Sequence, residues 1–228
     1  MRDYKKMLYI KINGALDKRL KSFRRRRLCN TDFSIVSNNC WAGYVYRRYG
    51  LPYLTPTVGL YFFADEYIKL CSDFKEYMQK PLEFISYTES KYKDRLEEKK
   101  QTNVPIARLG DIEVVFLHYA TRQEAEEKWK RRVERINYDN LIFKFSKMSG
   151  ATGEHLKQFD RFDFSKKICF VPSGDDSDIK CGVHFRSVSG NGEINNDTGE
   201  YARYINITKM INAETVCGKH MEGKRVEI

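Results

Sequence analysis

The sequence predicts an α/β protein built on a mostly parallel sheet with helices on both faces. Short apolar runs typical of buried strands alternate along the chain with longer runs of helical periodicity; the strand-like runs cover residues 33–37, 106–109, 112–119, 141–145 and 168–171. Strands that alternate with helices favour parallel pairing, because each helix returns the chain to the same end of the sheet. With 228 residues, 41% of them hydrophobic, the chain can bury the core that this fold requires.

Residues 1–28 are predicted to form a basic helical arm. Apolar residues recur there at helical spacing (Leu8, Ile12, Leu16, Leu20 and Phe23), next to a dense block of cations (Lys18, Arg19, Lys21 and Arg24 to Arg27). The whole chain carries a formal charge of +10. A basic amphipathic helix of this kind is typical of peripheral contact with an anionic membrane, although a solvated helix face explains the same pattern. Nucleic acid is disfavoured as a partner, since no recognition motif accompanies the cations.

Residues 29–172 are predicted to be the α/β core domain. The first strand, Phe33 to Ser37, leads through a polar turn into a helix over residues 41–49, which Gly50 ends because glycine tolerates the left-handed conformation. Further helices are predicted over residues 64–79 and 152–159, and over 121–135, where Thr121 is the expected N-cap. Residues 173–228 are rich in Gly, Asn and Asp and are predicted to be a C-terminal appendage packed on the same domain.

Composition restricts the classes of function. No segment has the roughly 20 consecutive apolar residues of a membrane span. The N-terminus lacks the apolar region of a secretory signal, which predicts a cytoplasmic protein, peripheral at the inner membrane face if the arm binds there. The six cysteines are irregularly spaced and are expected to be free thiols. No His and Cys spacing matches a zinc site, so no metal and no tightly bound cofactor are predicted.

Cys40 is the leading candidate for a chemical role. It lies between the first strand and the following helix, at the edge of an α/β sheet where ligand crevices form. Unpaired N–H groups and the helix dipole at such a position favour an anion or a thiolate, so a lowered pKa is expected for this thiol. A free cysteine that only fills core space is the alternative.

His118 is the candidate partner of Cys40. It ends the apolar run Phe116-Leu-His-Tyr119, which is expected to reach the same edge of the sheet. A Cys–His pair can supply a nucleophile and a general base. A hydrogen-bonded core histidine is the competing interpretation.

Four further residues are candidate substrate-binding groups. Asn38 and Asn39 could donate amide hydrogen bonds to an oxyanion or a sugar, or cap the helix. Trp41 offers a flat face for a sugar or an adenine ring, or fills the core. Asp111, after Gly110, could orient His118 or a substrate hydroxyl, or only stabilise a turn.

Two long motifs resemble a known family. Phe33-Ser-Ile-Val-Ser-Asn-Asn-Cys-Trp-Ala-Gly43 and the run from Gly50 to Phe63 are similar to an uncharacterised bacterial family labelled exopolysaccharide biosynthesis protein, a domain of unknown function. The runs Leu109-Gly-Asp-Ile-Glu113 and Arg135-Ile-Asn-Tyr-Asp-Asn-Leu141 agree. The resemblance covers about residues 30–172 and implies a setting in surface-polysaccharide synthesis.

A weaker similarity, to capsule acetyltransferases that bind coenzyme A, involves Asn39, Cys40 and His118. It implies an acyltransferase that moves an acetyl group from acetyl-CoA, as a co-substrate, to a hydroxyl of a sugar or lipid-linked sugar. The alternative is a non-catalytic or sugar-phosphate-binding component of the polysaccharide machinery, docked at the membrane surface through residues 1–28.

Overall fold

The structure is a computed structural model that describes residues 17–175 and 177–214. In chain order its elements are α1 (17–25), β1 (Ser34–Ser37), α2 (Trp41–Tyr49), α3 (Ala64–Ser72), α4 (Phe74–Tyr77), β2 (Leu82–Ile85), a 3₁₀ turn (Tyr87–Glu89), α5 (Lys93–Glu98), β3 (Ile106–Leu109), β4 (Ile112–Val115), α6 (Arg122–Val133), β5 (Leu141–Ser146), α7 (Gly153–Arg161), β6 (Lys167–Pro172), β7 (Gly182–Phe185), α8 (Asp197–Tyr204) and α9 (Ile207–Asn212).

The main sheet has four strands in the order β1-β5-β6-β7, all parallel. Alternate residues of each strand face opposite sides, as the period of a strand requires. Ile35 and Phe170 pack with α2, α8 and α9, whereas Val36 and Phe145 pack with α3 and α7 on the other side. The predicted α/β class, with helices on both faces of a mostly parallel sheet, is confirmed.

A second sheet holds β2, β3 and β4 in antiparallel order. The sequence alone did not distinguish these strands from those of the parallel sheet. Gly110 and Asp111 form the two-residue connection between β3 and β4, and Gly110 has a φ of 65°. So short a loop can join only antiparallel neighbours, because a parallel pair needs a long crossover.

Several predicted elements differ in their bounds. The predicted helix over 64–79 breaks into α3 and α4 at Asp73, whose side chain accepts a hydrogen bond from Glu76 N and so caps α4. The predicted strand over 112–119 ends at Val115, and His118 lies in the turn that follows. Gly50 does end α2 in the left-handed conformation, and Thr121 caps α6 through Glu124 N.

The chain after Pro172 contributes to the main sheet. It supplies the edge strand β7, and α8 and α9 then cover one face of the sheet. Residues 205 and 206 form the junction between α8 and α9. The predicted domain bounds at 28 and 172 stay predictions.

The basic arm is described only in part, since residues 1–16 lie outside the described residues. Its remainder forms α1, which ends at residue 25. Within residues 17–175 and 177–214, no helix combines the length and the apolar character needed to cross a bilayer.

Candidate functional site

A pocket of about 330 Å³ opens beside the N-terminal half of α2. Its walls come from α2, the loop after it, the turn after β4, and α6. We call it the basic pocket; it is lined by Cys40, Gly43, Tyr44, Arg47, Tyr53, Val58, Gly59, His118, Tyr119, Lys128 and Arg132. This volume is at the lower end of the range for small-molecule sites.

The basic pocket brings together the two predicted catalytic residues. Cys40 lies at the N-cap position of α2, and His118 reaches the same pocket from the turn after β4. The main-chain N–H of His118 donates to Gly59 O over 2.9 Å, which holds this turn against the loop after α2. The His118 side chain is exposed, and no hydrogen bond joins its ring to the Cys40 thiol. The two residues therefore share a cavity without forming a hydrogen-bonded pair.

The surroundings of Cys40 favour the neutral form of its thiol. Burial and then the nearby charge of Asp197 raise the pKa of Cys40 to about 11, with Lys144 and Arg47 opposing them. The thiol also lies 3.6 Å from Leu60 O. This direction is opposite to the lowered pKa expected for a thiol at a helix N-terminus, so Cys40 is a neutral thiol near pH 7.

The first N–H groups of α2 already have partners within the chain. Trp41 N donates to the Asn39 side-chain oxygen over 3.1 Å, and Ala42 N lies 3.4 Å from the Ser37 hydroxyl. An anion or thiolate at a helix N-terminus depends on N–H groups that are free to donate. These N–H groups are therefore not free to bind an anion or to stabilise a thiolate.

Asn38 and Asn39 are used inside the protein. The Asn38 amide bridges to the next strand, donating to Ser146 O and accepting from Ser146 N, each over 3.0 Å. Asn39 accepts from Lys144 Nζ over 3.0 Å and donates to Asp197 Oδ2 over 2.9 Å. Both amides are turned inward and buried, with partners inside the protein, and the role of these residues as oxyanion or sugar donors stays a prediction.

Behind the β1–α2 turn lies a buried polar group that we call the Lys144 centre, made of Asn39, Lys144, Ser146 and Asp197. Lys144 Nζ pairs with Asp197 Oδ2, and the two side chains are 0% and 2% exposed. Ser146 donates to the same carboxylate oxygen over 2.6 Å. The ammonium also lies 4.9 Å from the centre of the Phe170 ring. A lysine within the otherwise apolar strand Leu141–Ser146 is the sequence signal for this centre.

Burial acts on the ionisation of both members of the pair. Burial disfavours the charged form of Asp197, but Lys144, Ser146 and Asn39 outweigh it, so the pKa of Asp197 is lowered. Burial lowers the pKa of Lys144, and the nearby carboxylate opposes that shift. The carboxylate is thus held ionised by three donors, as a buried charge requires.

Trp41 and Asp111 are not in the basic pocket. Trp41 is fully buried and packs edge-on against Phe170 and Tyr201, so its face is not available to a ligand. Asp111 lies in the β3–β4 turn, at the opposite end of β4 from His118, and its carboxylate binds Lys69 and Tyr77 over 2.9 and 2.6 Å. The Tyr77 and Lys69 hydrogen bonds lower the pKa of Asp111 to about 2. The structure places neither residue at the basic pocket, and their substrate or orienting roles stay predictions.

Cations and tyrosines dominate the rest of the basic pocket. Arg132 is 6% exposed, and its guanidinium donates to Val58 O over 3.2 Å and lies 2.5 Å from the Tyr119 hydroxyl. Its charge also lies 5.0 Å from the centre of the Tyr53 ring. Sequence reasoning missed these residues because they come from separate helices and loops.

Two other cations reach the pocket. Arg47 lies over the Tyr44 ring at 4.2 Å, and Lys128 pairs with Glu124 on α6. Among the described residues, neither Arg47 nor Arg132 makes a salt bridge, and no carboxylate lines the pocket. The pocket is consequently electropositive.

No metal centre accompanies the pocket within the part of the chain that the structure describes: no three His, Cys, Asp or Glu side chains group there so as to hold an ion. The five described cysteines are free thiols.

The chain belongs to a family defined by a domain of unknown function, DUF1919, whose model matches residues 11–215. It is also 30% identical over 165 residues to an uncharacterized protein of Haemophilus influenzae, an alignment that covers 71% of this chain and 74% of that protein. Neither similarity carries an activity, so the polysaccharide setting implied by the sequence motifs stays a prediction.

We expect Lys144→Met to lower the free energy of unfolding by about 3–5 kcal/mol, because it leaves the Asp197 carboxylate buried without its cation. Chemical denaturation measures the change. The double variant Lys144→Met/Asp197→Leu should recover much of the loss. The control is Lys130→Met, which removes an exposed pair with Glu126 and should cost about 1 kcal/mol or less. Equal costs for the two single variants would contradict the importance of the Lys144 centre.

The raised pKa of Cys40 predicts slow alkylation that keeps accelerating with pH. Its rate with iodoacetamide should rise about tenfold per pH unit from about pH 7 to about pH 9, because the thiolate fraction grows without saturating in that range. Peptide mass spectrometry resolves Cys40 from the exposed Cys29, which serves as the internal reference. A plateau for Cys40 below pH 8 would show that its thiolate is stabilised after all.

Proposed function

We propose that the basic pocket binds a phosphorylated sugar, free or lipid-linked, and that the protein serves surface-polysaccharide synthesis as a sugar-phosphate-binding component. The observation that carries the proposal is Arg132, a buried cation that lines a pocket and has no salt bridge among the described residues. The charge of Glu124 interacts with Arg132 without forming a direct ion pair, and an anionic ligand in the pocket would supply a negative charge in direct contact.

The arrangement of the cations suits phosphate oxygens. Arg132 and Arg47 both line the pocket, and a guanidinium offers paired donors that match the geometry of a phosphate. Tyr119 and Val58 O orient the Arg132 side chain before any ligand arrives. Such pre-organisation reduces the entropy lost on binding.

The tyrosines account for the sugar part of the ligand. Tyr44 and Tyr53 supply ring faces for the apolar side of a sugar and hydroxyls for its polar groups. The Tyr119 hydroxyl is already bonded to Val58 O and Arg132, so Tyr119 contributes to the wall of the pocket. Apolar and aromatic walls with a few placed polar or charged groups are typical of small-molecule sites. The polysaccharide setting rests on the resemblance of the motifs around Cys40.

Titration calorimetry tests the proposal with glucose 1-phosphate and UDP-glucose, and with glucose as the uncharged comparison. We expect the phosphorylated compounds to bind, more weakly at higher salt, and glucose not to bind measurably. Arg47→Gln and Arg132→Gln should each weaken binding by about 10- to 100-fold, because each removes a charge-assisted hydrogen bond.

The matched control is Arg131→Gln, which removes an exposed arginine next to Arg132 on α6. It should leave the affinity unchanged. Circular dichroism of Arg132→Gln checks that losing the bonds to Val58 and Tyr119 has not unfolded the protein. Equal weakening by Arg131→Gln, or no binding of either phosphorylated compound, would refute the proposed site.

A second candidate is acyl transfer, which the shared location of His118 and Cys40 favours. His118 would take the proton of a sugar hydroxyl while the oxygen attacks the thioester carbonyl of acetyl-CoA. A C–O bond forms, the C–S bond breaks, and the departing coenzyme A thiolate takes the proton from His118. The pocket cations would hold the phosphates of the coenzyme. In this form of the reaction Cys40 stays a neutral thiol that lines the site, as its raised pKa requires.

This mechanism separates the roles of the two residues. With acetyl-CoA and glucose 1-phosphate, mass spectrometry of the sugar should show acetylation that His118→Gln slows by about 10²- to 10⁴-fold. Cys40→Ser should change the rate only a few-fold. His184→Gln, at an exposed histidine on β7, is the control. Full activity of His118→Gln would exclude this histidine as the base, and loss of activity in Cys40→Ser would restore a nucleophilic cysteine.

A further inference from the structure

α1 presents its apolar side chains to solvent. Leu20 and Phe23 are 48% and 55% exposed, among the most exposed large hydrophobic residues that the structure describes. They are three residues apart, so they are neighbours on one face of the helix. A surface helix normally turns such a face toward the protein core.

The side of α1 that contacts the protein is instead cationic. Lys21 and Arg24 are the half-buried residues of this helix, and the Lys21 side chain packs over Gly50 at the end of α2. Long basic side chains can pack through their apolar stems while the charged ends stay in water. The packing leaves Leu20 and Phe23 outward.

α1 and the turn after it carry a dense positive charge. Residues 17–27 contain seven cations, and Asp17 is the only acidic residue among them. Lys18, Arg19 and Arg25 to Arg27 are exposed, and the Arg27 guanidinium lies 5.9 Å from the centre of the Phe23 ring. An exposed apolar pair on a densely basic helix complements a surface that is negatively charged outside and apolar beneath.

We infer that α1 docks on an anionic lipid surface. Leu20 and Phe23 enter the boundary between headgroups and acyl chains, while the surrounding arginines contact lipid phosphates. Nucleic acid or an acidic protein could satisfy the charges, but nucleic acid offers no apolar layer for the exposed pair. α1 packs at the C-terminal end of α2, where the Lys21 side chain lies over Gly50. The inference does not depend on the ligand of the basic pocket.

Co-sedimentation of the full chain with lipid vesicles tests the inference. We expect binding to phosphatidylcholine vesicles that contain phosphatidylglycerol, little binding to pure phosphatidylcholine, and weakening between about 0.1 M and about 0.5 M salt. Leu20→Ser/Phe23→Ser and Arg25→Glu/Arg26→Glu should each reduce binding by about tenfold or more.

Two controls separate docking through α1 from general attraction. Tyr138→Ser removes an exposed aromatic residue elsewhere, and Arg131→Glu/Arg161→Glu reverses two exposed charges elsewhere with the same change in net charge. Both should bind vesicles like the wild type. Equal losses in the controls, or full binding by Leu20→Ser/Phe23→Ser, would overturn the inference. Tight binding to duplex DNA without vesicle binding would overturn it in favour of nucleic acid.

Discussion

The buried ion pair between Lys144 and Asp197 joins three parts of the chain that are far apart in sequence. Lys144 comes from the centre of the parallel sheet, Asp197 begins α8, and Asn39 from the β1–α2 turn bonds to both. A buried pair is tolerated only where further hydrogen bonds complete it, and Ser146 and Asn39 provide them. The C-terminal helices and the turn that carries Cys40 are thereby fastened to the same point of the sheet.

The Lys144–Asp197 pair explains the chemistry of the β1–α2 turn. Asn39 is engaged with the Lys144 centre, and Cys40 is left between that centre and the basic pocket. The charge of Asp197 reaches the thiol and contributes to its raised pKa. Asn39 therefore has a structural role in this turn. The groups that could bind an anion are Arg47 and Arg132, which line the basic pocket.

Local signals in the sequence were sufficient for many elements. Gly50 ends α2 and Thr121 caps α6 because these roles depend on a residue and its immediate neighbours. The alternation of apolar and helical runs was enough for the fold class. The separate antiparallel sheet was missed because apolar strands look alike in sequence until their partners are known. The position of Cys40 and His118 on one pocket was anticipated, but the sheet edge assumed for His118 was not the one observed.

The sequence by itself determined the fold class, the end of α2, the start of α6 and the strand–turn–helix that carries Cys40, since each follows from periodicity or from short-range hydrogen bonding. Only the tertiary structure decided which polar residues face inward. Asn39 is internal because Lys144 and Asp197, distant in sequence, meet behind it and bond to its amide. Asn38 is held by the backbone of Ser146, and Trp41 packs against Phe170 and Tyr201. The tertiary structure also brings Arg132 and Arg47 to one pocket. Their proximity depends on packing between separate elements, and no periodic pattern in the sequence indicates it.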